Sequence, residues 1–371
     1  MGNMLKSLVV LVTSLFAATL SVADAQGGGI QAGADIIRER TGAPGIGILI
    51  RQGDEIELGL SGVRAIGTDI ALQPDDLWHL GSNTKSMTAT LVARLVEQGR
   101  ISWDDTIVQH LGEAVDDIHP AYRDLTFRHL LSHRSGLPAN VSSTAMIGFL
   151  AQGAQGADIA PQRIAYAAQV LAGDPAAEPE TEFLYSNAGY VVAGAMLEQA
   201  TGDDWEVLIR REVFEPLGLT SAGFGAPGSA ETVDQPRGHR SGLLGRRAAY
   251  APGPTSDNPP VLGPAGTVHM SLEDLSGYLA VHMAGARGED TGFLDAESWE
   301  ILHTPPFGEH YAMGWAIDGP RLIHNGSNTL WLVQMTIWPD RDRAVIIGAN
   351  DGDAEALGPY FNRATGEAMS E

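Results

Sequence analysis

Apolar residues change their spacing twice along this 371-residue chain, and that pattern restricts the architectures open to it. Between Gly45 and Ala65 (GIGILIRQGDEIELGLSGVRA) they alternate through Ile46, Ile48 and Ile50, then Ile56, Leu58 and Leu60. Gln52, Gly53 and Asp54 make the turn between the two runs, so the stretch predicts a β-hairpin. From Ser82 to Glu97 the period lengthens: Met87, Leu91 and Leu95 recur at helical spacing, and Gly99 closes the helix. Helical runs continue through 126–138, 161–173, 190–202 and 204–218. Another begins at Ser271, placed as a cap with Glu273 in the first turn. Past Tyr311 the strand pattern returns in four runs (YAMGWAID, RLIHNGS, TLWLVQMTIWP and RAVIIGAND), and a final helix follows. Strands therefore lie at both ends and helices in the middle. This predicts an α+β fold: one antiparallel sheet built from both chain ends, flanked by helices, with an all-helical lobe inserted over roughly residues 100–290. A glycine- and proline-rich stretch, 221–264, reads as a long working loop.

The first 25 residues read as a signal peptide. Lys6 precedes an apolar core, Leu8 to Leu20, that is too short to span a bilayer, and Ala23 and Ala25 are small residues suited to peptidase cleavage. The expectation is an exported protein, periplasmic or secreted, with residues 26–371 forming a single catalytic domain. The chain has no cysteine, so neither a disulfide nor a cysteine lipid anchor is available, and core packing alone must hold the exported protein together. No other stretch is long enough for stable membrane insertion. The net charge of −23 excludes nucleic acid and anionic membrane surfaces as general partners.

Lysine usage is more specific. The chain has 21 arginines and two lysines, Lys6 and Lys85, so the mature protein keeps one lysine, three residues after Ser82. Arginine does surface work as well as lysine but never gives up its proton, so it cannot serve as a base. Ser82 and Lys85 open a predicted helix, where residues three apart share a face and the free N–H groups favour an oxyanion. Read alone, the pair is either a nucleophile with its base or a helix cap followed by a surface lysine.

Two further segments bear on that choice: Tyr185 and Asn187 in FLYSNAGYVVAG, and His324, Asn325 and Gly326 in LIHNGSNT. With Ser82-Asn-Thr-Lys85 they stand in the order Ser-x-x-Lys, Tyr-x-Asn, His-x-Gly. In these motifs, and in LLSHRSGLP, FEPLGL, PAGTVHMSLEDL and GAND, the sequence resembles the serine β-lactamase and penicillin-binding-protein superfamily over about residues 35–355. It is most similar to the branch of class C β-lactamases, esterases of β-lactamase fold, D-aminopeptidases and D-Ala-D-Ala carboxypeptidases. The resemblance implies a serine hydrolase without metal or cofactor, acting on a small-molecule or peptide substrate with an ester, amide or β-lactam carbonyl. Ser82 would form the acyl-enzyme. Lys85 and Tyr185 would share proton transfer, Tyr185 as a phenolate held down by Lys85. The N–H groups of Ser82 and Ser327 would form the oxyanion hole. Asn187 would bond a substrate amide, His324 and Asn325 would line the site, and Gly326 would clear the strand edge for substrate.

One departure is chemical. β-Lactamases have a lysine in the third motif, where its fixed charge holds the substrate carboxylate, and this chain has His324, largely neutral at pH 7. Arg237 or Arg240 from the long loop could stand in. Without such a cation the site favours esters, amides or D-amino-acid peptides over penicillins. A second departure is Glu180 before the tyrosine motif, where relatives often have Pro-Gly. Among rival enzymes, an α/β-hydrolase would need a Gly-x-Ser-x-Gly elbow, and the chain has none. His129 and His133 stand four apart without a His-Glu-x-x-His motif, and read as surface or capping residues. The non-enzyme rival is a penicillin-binding sensor that acylates without turnover.

Overall fold

The computed structural model describes residues 29–241, 247–254, 256–308 and 310–367, so the expected signal segment lies outside the described residues. Helix α1 (Gly29–Thr41) precedes the predicted hairpin, β1 (Gly45–Gln52) and β2 (Glu55–Gly62), and a short strand β3 (Leu77–His79) follows. A 3₁₀ turn over Gly81–Asn83 leads directly into α2 (Thr84–Glu97). Next come α3 (Ile107–Leu111), α4 (Phe127–Leu131), α5 (Ser143–Ala154), α6 (Ile159–Leu171), α7 (Asn187–Thr201) and α8 (Trp205–Ile209). The long loop holds β4 (Gly223–Phe224), β5 (Gly238–Ser241) and β6 (Arg247–Tyr250), then α9 (Gly263–Gly266) and β7 (Val268–Ser271). Helices α10 (Leu272–Ala286) and α11 (Ala296–His303) lead to β8 (Ala316–Asp318), β9 (Arg321–Ser327), β10 (Leu332–Trp338), β11 (Arg343–Ala349) and α12 (Ala354–Glu367).

The main sheet joins both chain ends in the order β2-β1-β11-β10-β9-β8, all antiparallel, with Ile48 opposite Ile347 and Ser327 opposite Leu332. Alternation sorts its side chains between two cores. Val345 and Ile347 face α1 and α12 with Leu357 and Phe361, while Ile346 joins Leu49, Trp78 and Met335 beneath the helical lobe. Helix α1 goes beyond the sequence expectation; its buried stripe is only Ala34 and Ile37, too short a signal to stand out. The predicted end signals form: Ser271 accepts from the Asp274 N–H at 3.1 Å, and Gly99 follows α2 at φ 66°. The inserted lobe was expected to be all-helical; it also carries β4 and β7, which join β3 in a small sheet, and the hairpin β5-β6. These strands are two to four residues long, too short for a periodic signal.

Candidate active site

Helix α2 runs through the centre of the molecule, and every residue from Thr84 to Ala93 is buried. Its entry turn presses against the end of β9. Gly81 sits at φ +50°, and a Cβ there would lie 2.3 Å from the Ser327 nitrogen. Gly326 is just as confined: its Cβ would come within 1.8 Å of the Leu80 carbonyl oxygen. Gly326 therefore faces the turn beneath it, where only a hydrogen fits. This corrects its expected role of clearing the strand edge for substrate, because alternation along β9 points positions 324 and 326 inward and leaves Asn325 exposed.

Ser82 lies inside the 3₁₀ turn and caps nothing. Lys85 is fully buried, and its Nζ lies 3.0 Å from Ser82 Oγ, 2.7 Å from Asn187 Oδ1 and 2.7 Å from the Ala265 carbonyl oxygen. None of these partners is acidic. Burial alone pushes the amine well below the usual lysine range. The rings of Tyr185 and Tyr190, with centroids 4.9 and 5.4 Å from Nζ, would favour a cation but supply no net charge. A neutral amine fits the contacts: its two N–H bonds serve Asn187 and Ala265, and its lone pair faces the Ser82 hydroxyl.

Tyr185 keeps part of its surface exposed, yet burial pushes its phenol up, and the hydrogen bond with Ser82 offsets this only in part. This direction favours the neutral phenol over the expected phenolate. Asn187 is engaged at both ends, since its Nδ2 donates to Asn140 Oδ1 at 3.2 Å. His324 is buried with Nε2 2.9 Å from the Tyr311 hydroxyl, and burial lowers it to about 3. The third motif thus carries no cation. Arg237 donates to the Ala230 carbonyl and Arg240 to the Tyr250 hydroxyl, both within the long loop.

His133 was expected at the surface or in a cap, and it is neither. It is buried at φ +59°, and its ring lies 4.3 Å from that of Tyr185. Its Nδ1 accepts from Ser186 N–H at 3.0 Å and its carbonyl from Leu184 N–H at 3.0 Å, so it grips Tyr185 from both sides. His129 does cap α4, accepting from Thr126 N–H at 3.1 Å, and faces Glu180 at 3.3 Å. Glu180 occupies a left-handed backbone position, φ 66°, a conformation that favours glycine. Sequence reasoning missed the Ala265 carbonyl, which carries no side-chain signal, and Tyr311, which belongs to no motif. Tyr190 was within reach, three residues after Asn187 on the same helix.

A helix-borne Ser-x-x-Lys pair completed by a tyrosine turn and a β-strand edge is an arrangement known elsewhere. The family model for Beta-lactamase matches residues 34–368. The chain belongs to the beta-lactamase family. Within it, "Penicillin-binding protein 4" of Amycolatopsis lactamdurans is 29% identical over 339 residues, 87% of this chain and 85% of that one. Two solved structures share the fold at lower identity. The D-amino acid amidase of Ochrobactrum anthropi SV3 matches with TM-score 0.71 at 22% identity, covering 92% of this chain and 98% of that one. The octameric penicillin-binding protein homologue of Pyrococcus abyssi matches with TM-score 0.70 at 24% identity, covering 88% and 73%.

Proposed function

We propose that this protein is an exported serine hydrolase that works through an acyl-enzyme on Ser82. The observation that carries the reading is Lys85, a buried amine with only neutral partners and its Nζ 3.0 Å from the Ser82 hydroxyl. Ser82 Oγ attacks the substrate carbonyl carbon as its proton passes to the Lys85 lone pair. The carbonyl oxygen becomes an oxyanion, held by the N–H groups of Ser82 and Ser327. When the intermediate collapses, the C–O or C–N bond breaks and the leaving group takes the proton from Lys85 by way of the neutral Tyr185 phenol. Water then attacks the Ser82 ester, releases the acid and returns a proton to Ser82. Asn187 and the Ala265 carbonyl aim the lysine.

The uncharged third motif supports esters, amides or D-amino-acid peptides over penicillins, whose carboxylate would find no partner at His324. The test compares steady turnover of p-nitrophenyl butyrate and nitrocefin by the mature protein, with Ser82→Ala as the blank. We expect ester turnover, little nitrocefin turnover, and no activity from Ser82→Ala. Activity retained by Ser82→Ala would overturn the nucleophile. Fast nitrocefin hydrolysis would overturn the substrate class, and a burst without turnover would mark an acylating sensor. Export is checked by sequencing the N-terminus of protein from the periplasm or medium, which should begin at Gln26.

A further inference from the structure

Outside the three motifs, a buried histidine and an aspartate connect the two segments that carry the oxyanion-binding N–H groups. His79, on β3, is fully buried, and its Nδ1 accepts from the Gly81 N–H at 3.1 Å. A ring nitrogen that accepts carries no hydrogen, so the proton of the neutral imidazole is on Nε2. Nε2 faces Asp257 Oδ1 at 2.7 Å, a close polar approach off the line of a hydrogen bond. The same Oδ1 accepts from Asn328 Nδ2 at 3.0 Å, and Asn328 is buried immediately after Ser327. One carboxylate oxygen is therefore shared by the histidine that holds the residue before Ser82 and the asparagine after Ser327.

The surroundings show that this spacing is imposed. Thr329, a β-branched residue, sits at φ +74°, a conformation that persists only where neighbours over-determine it. Its carbonyl oxygen would lie 1.9 Å from a Cβ on Gly352, so the segment is pinned from behind. Its N–H donates to Ser327 Oγ at 3.0 Å, which ties the bend to the end of β9.

We propose that Asp257 and His79 are positioning residues that fix the spacing of the Ser82 and Ser327 N–H groups, an inference that rests on the acyl-enzyme reading above. Asp257 acts on two paths. Its oxygen beside Nε2 favours a proton there rather than on Nδ1, which leaves Nδ1 free to accept from Gly81, and it anchors Asn328 beside Ser327. Without it the imidazole can take the Nδ1–H form, which orphans the Gly81 N–H and lets the turn before Ser82 tip. The role needs an acceptor oxygen rather than a charge, so asparagine should replace aspartate.

The experiment compares Asp257→Ala and Asp257→Asn with wild type by ester kinetics, by inhibition with phenylboronic acid, which adds to Ser82, and by ¹⁵N NMR of the histidine rings. The His79 signal is assigned from a His79→Asn variant. For Asp257→Ala we expect kcat and boronate affinity each to fall about 10- to 100-fold, with KM within about threefold and loss of the His79 Nε2–H signature. Asp257→Asn should stay within about threefold of wild type throughout. Wild-type kcat in Asp257→Ala, or equal losses in both variants, would overturn the proposal. So would a wild-type His79 in the Nδ1–H form, a measurement that does not depend on how either Asp257 variant folds. If wild-type Ser82 is not labelled by a fluorophosphonate, the acyl-enzyme reading fails instead, and the His79 tautomer alone decides whether the brace exists.

Discussion

Arg163 and Lys85 are both fully buried cationic side chains, and they have opposite surroundings. Arg163, on α6, pairs with Glu198 at the end of α7 and with Glu206 on α8, and its remaining donors reach the Pro260 and Val261 carbonyls at 3.3 and 3.4 Å. Burial by itself would lower its pKa, but the two carboxylates outweigh that and raise it, so the charge is permanent. Lys85 has three hydrogen-bond partners and no carboxylate. Nothing offsets its desolvation, and the proton is loosely held. A compensated buried cation ties helices together, whereas an uncompensated one can do proton chemistry. The two are also linked in space: Arg163 holds the chain at 260–261, just ahead of the Ala265 carbonyl that aims Lys85.

The largest effect expected from this contrast is on rate. Lys85→Arg keeps the charge and loses the titratable amine, so single-turnover acylation should fall about 10²- to 10⁴-fold. Near-normal acylation would erase the distinction between the two cations. Arg163→Met should show the reverse. It leaves Glu198 and Glu206 without their cation, Glu198 keeping only the Trp205 N–H, and should cost about 3–5 kcal/mol in urea unfolding. Replacing all three members of the triad with apolar residues should recover most of that loss, because the penalty comes from stranded charge.

The pH dependence of stability sharpens the contrast next. The unfolded lysine keeps its proton up to about 10.5, while folded Lys85 releases it earlier. Between those two pKa values the unfolded chain binds more protons, so Lys85 makes stability rise with pH. The unfolding free energy of wild type minus that of Lys85→Met should therefore grow toward alkaline pH, and Arg163→Met should show no such trend. Buried histidines act at the other end. Burial lowers His133 and His282 well below 6.5, His303 and His324 to about 3, and His239 to about 4. The unfolded chain gains protons at these sites from about pH 6.5 downward, so thermal unfolding should shift to lower temperature as pH falls through 6.

The smallest effect belongs to a compensated charge at the surface. The His129–Glu180 contact is half-exposed on the Glu180 side and stabilises by about 0–1 kcal/mol. Glu180 also occupies a left-handed position, so Glu180→Gly should leave stability within about 1 kcal/mol of wild type, with relief of strain offsetting the lost pair. A larger loss would mean that this turn, which leads into Tyr185, depends on the ion pair.

Much of this was legible in the chain. The hairpin at Gly45–Gly62, the helix after Ser82 and the strands past Tyr311 follow from side-chain period, because one wrong face would expose a whole apolar row. The Ser82–Lys85 contact is local too, since residues three apart meet along a helix. Other features were illegible because no single segment contains them. Gly326 was assigned to the substrate, but its neighbour is Leu80, on a turn some 240 positions earlier in the chain. His133 resembled a surface residue because LLSHRSGLP has no strong period, yet it lies beneath Tyr185, 52 positions away.

Sequence alone determined which residue types could take part: a serine, the one lysine of the expected mature chain, a tyrosine, an asparagine and a histidine in a fixed order. Tertiary structure decided how deeply they are buried and what they touch. Asn187 and Ala265 reach Lys85 from 102 and 180 positions away, and neither brings a charge. Desolvation depends on everything packed around a group, and no local pattern encodes it. That is why burial pushes the Tyr185 phenol up and the Lys85 amine down, against what their motifs alone would suggest.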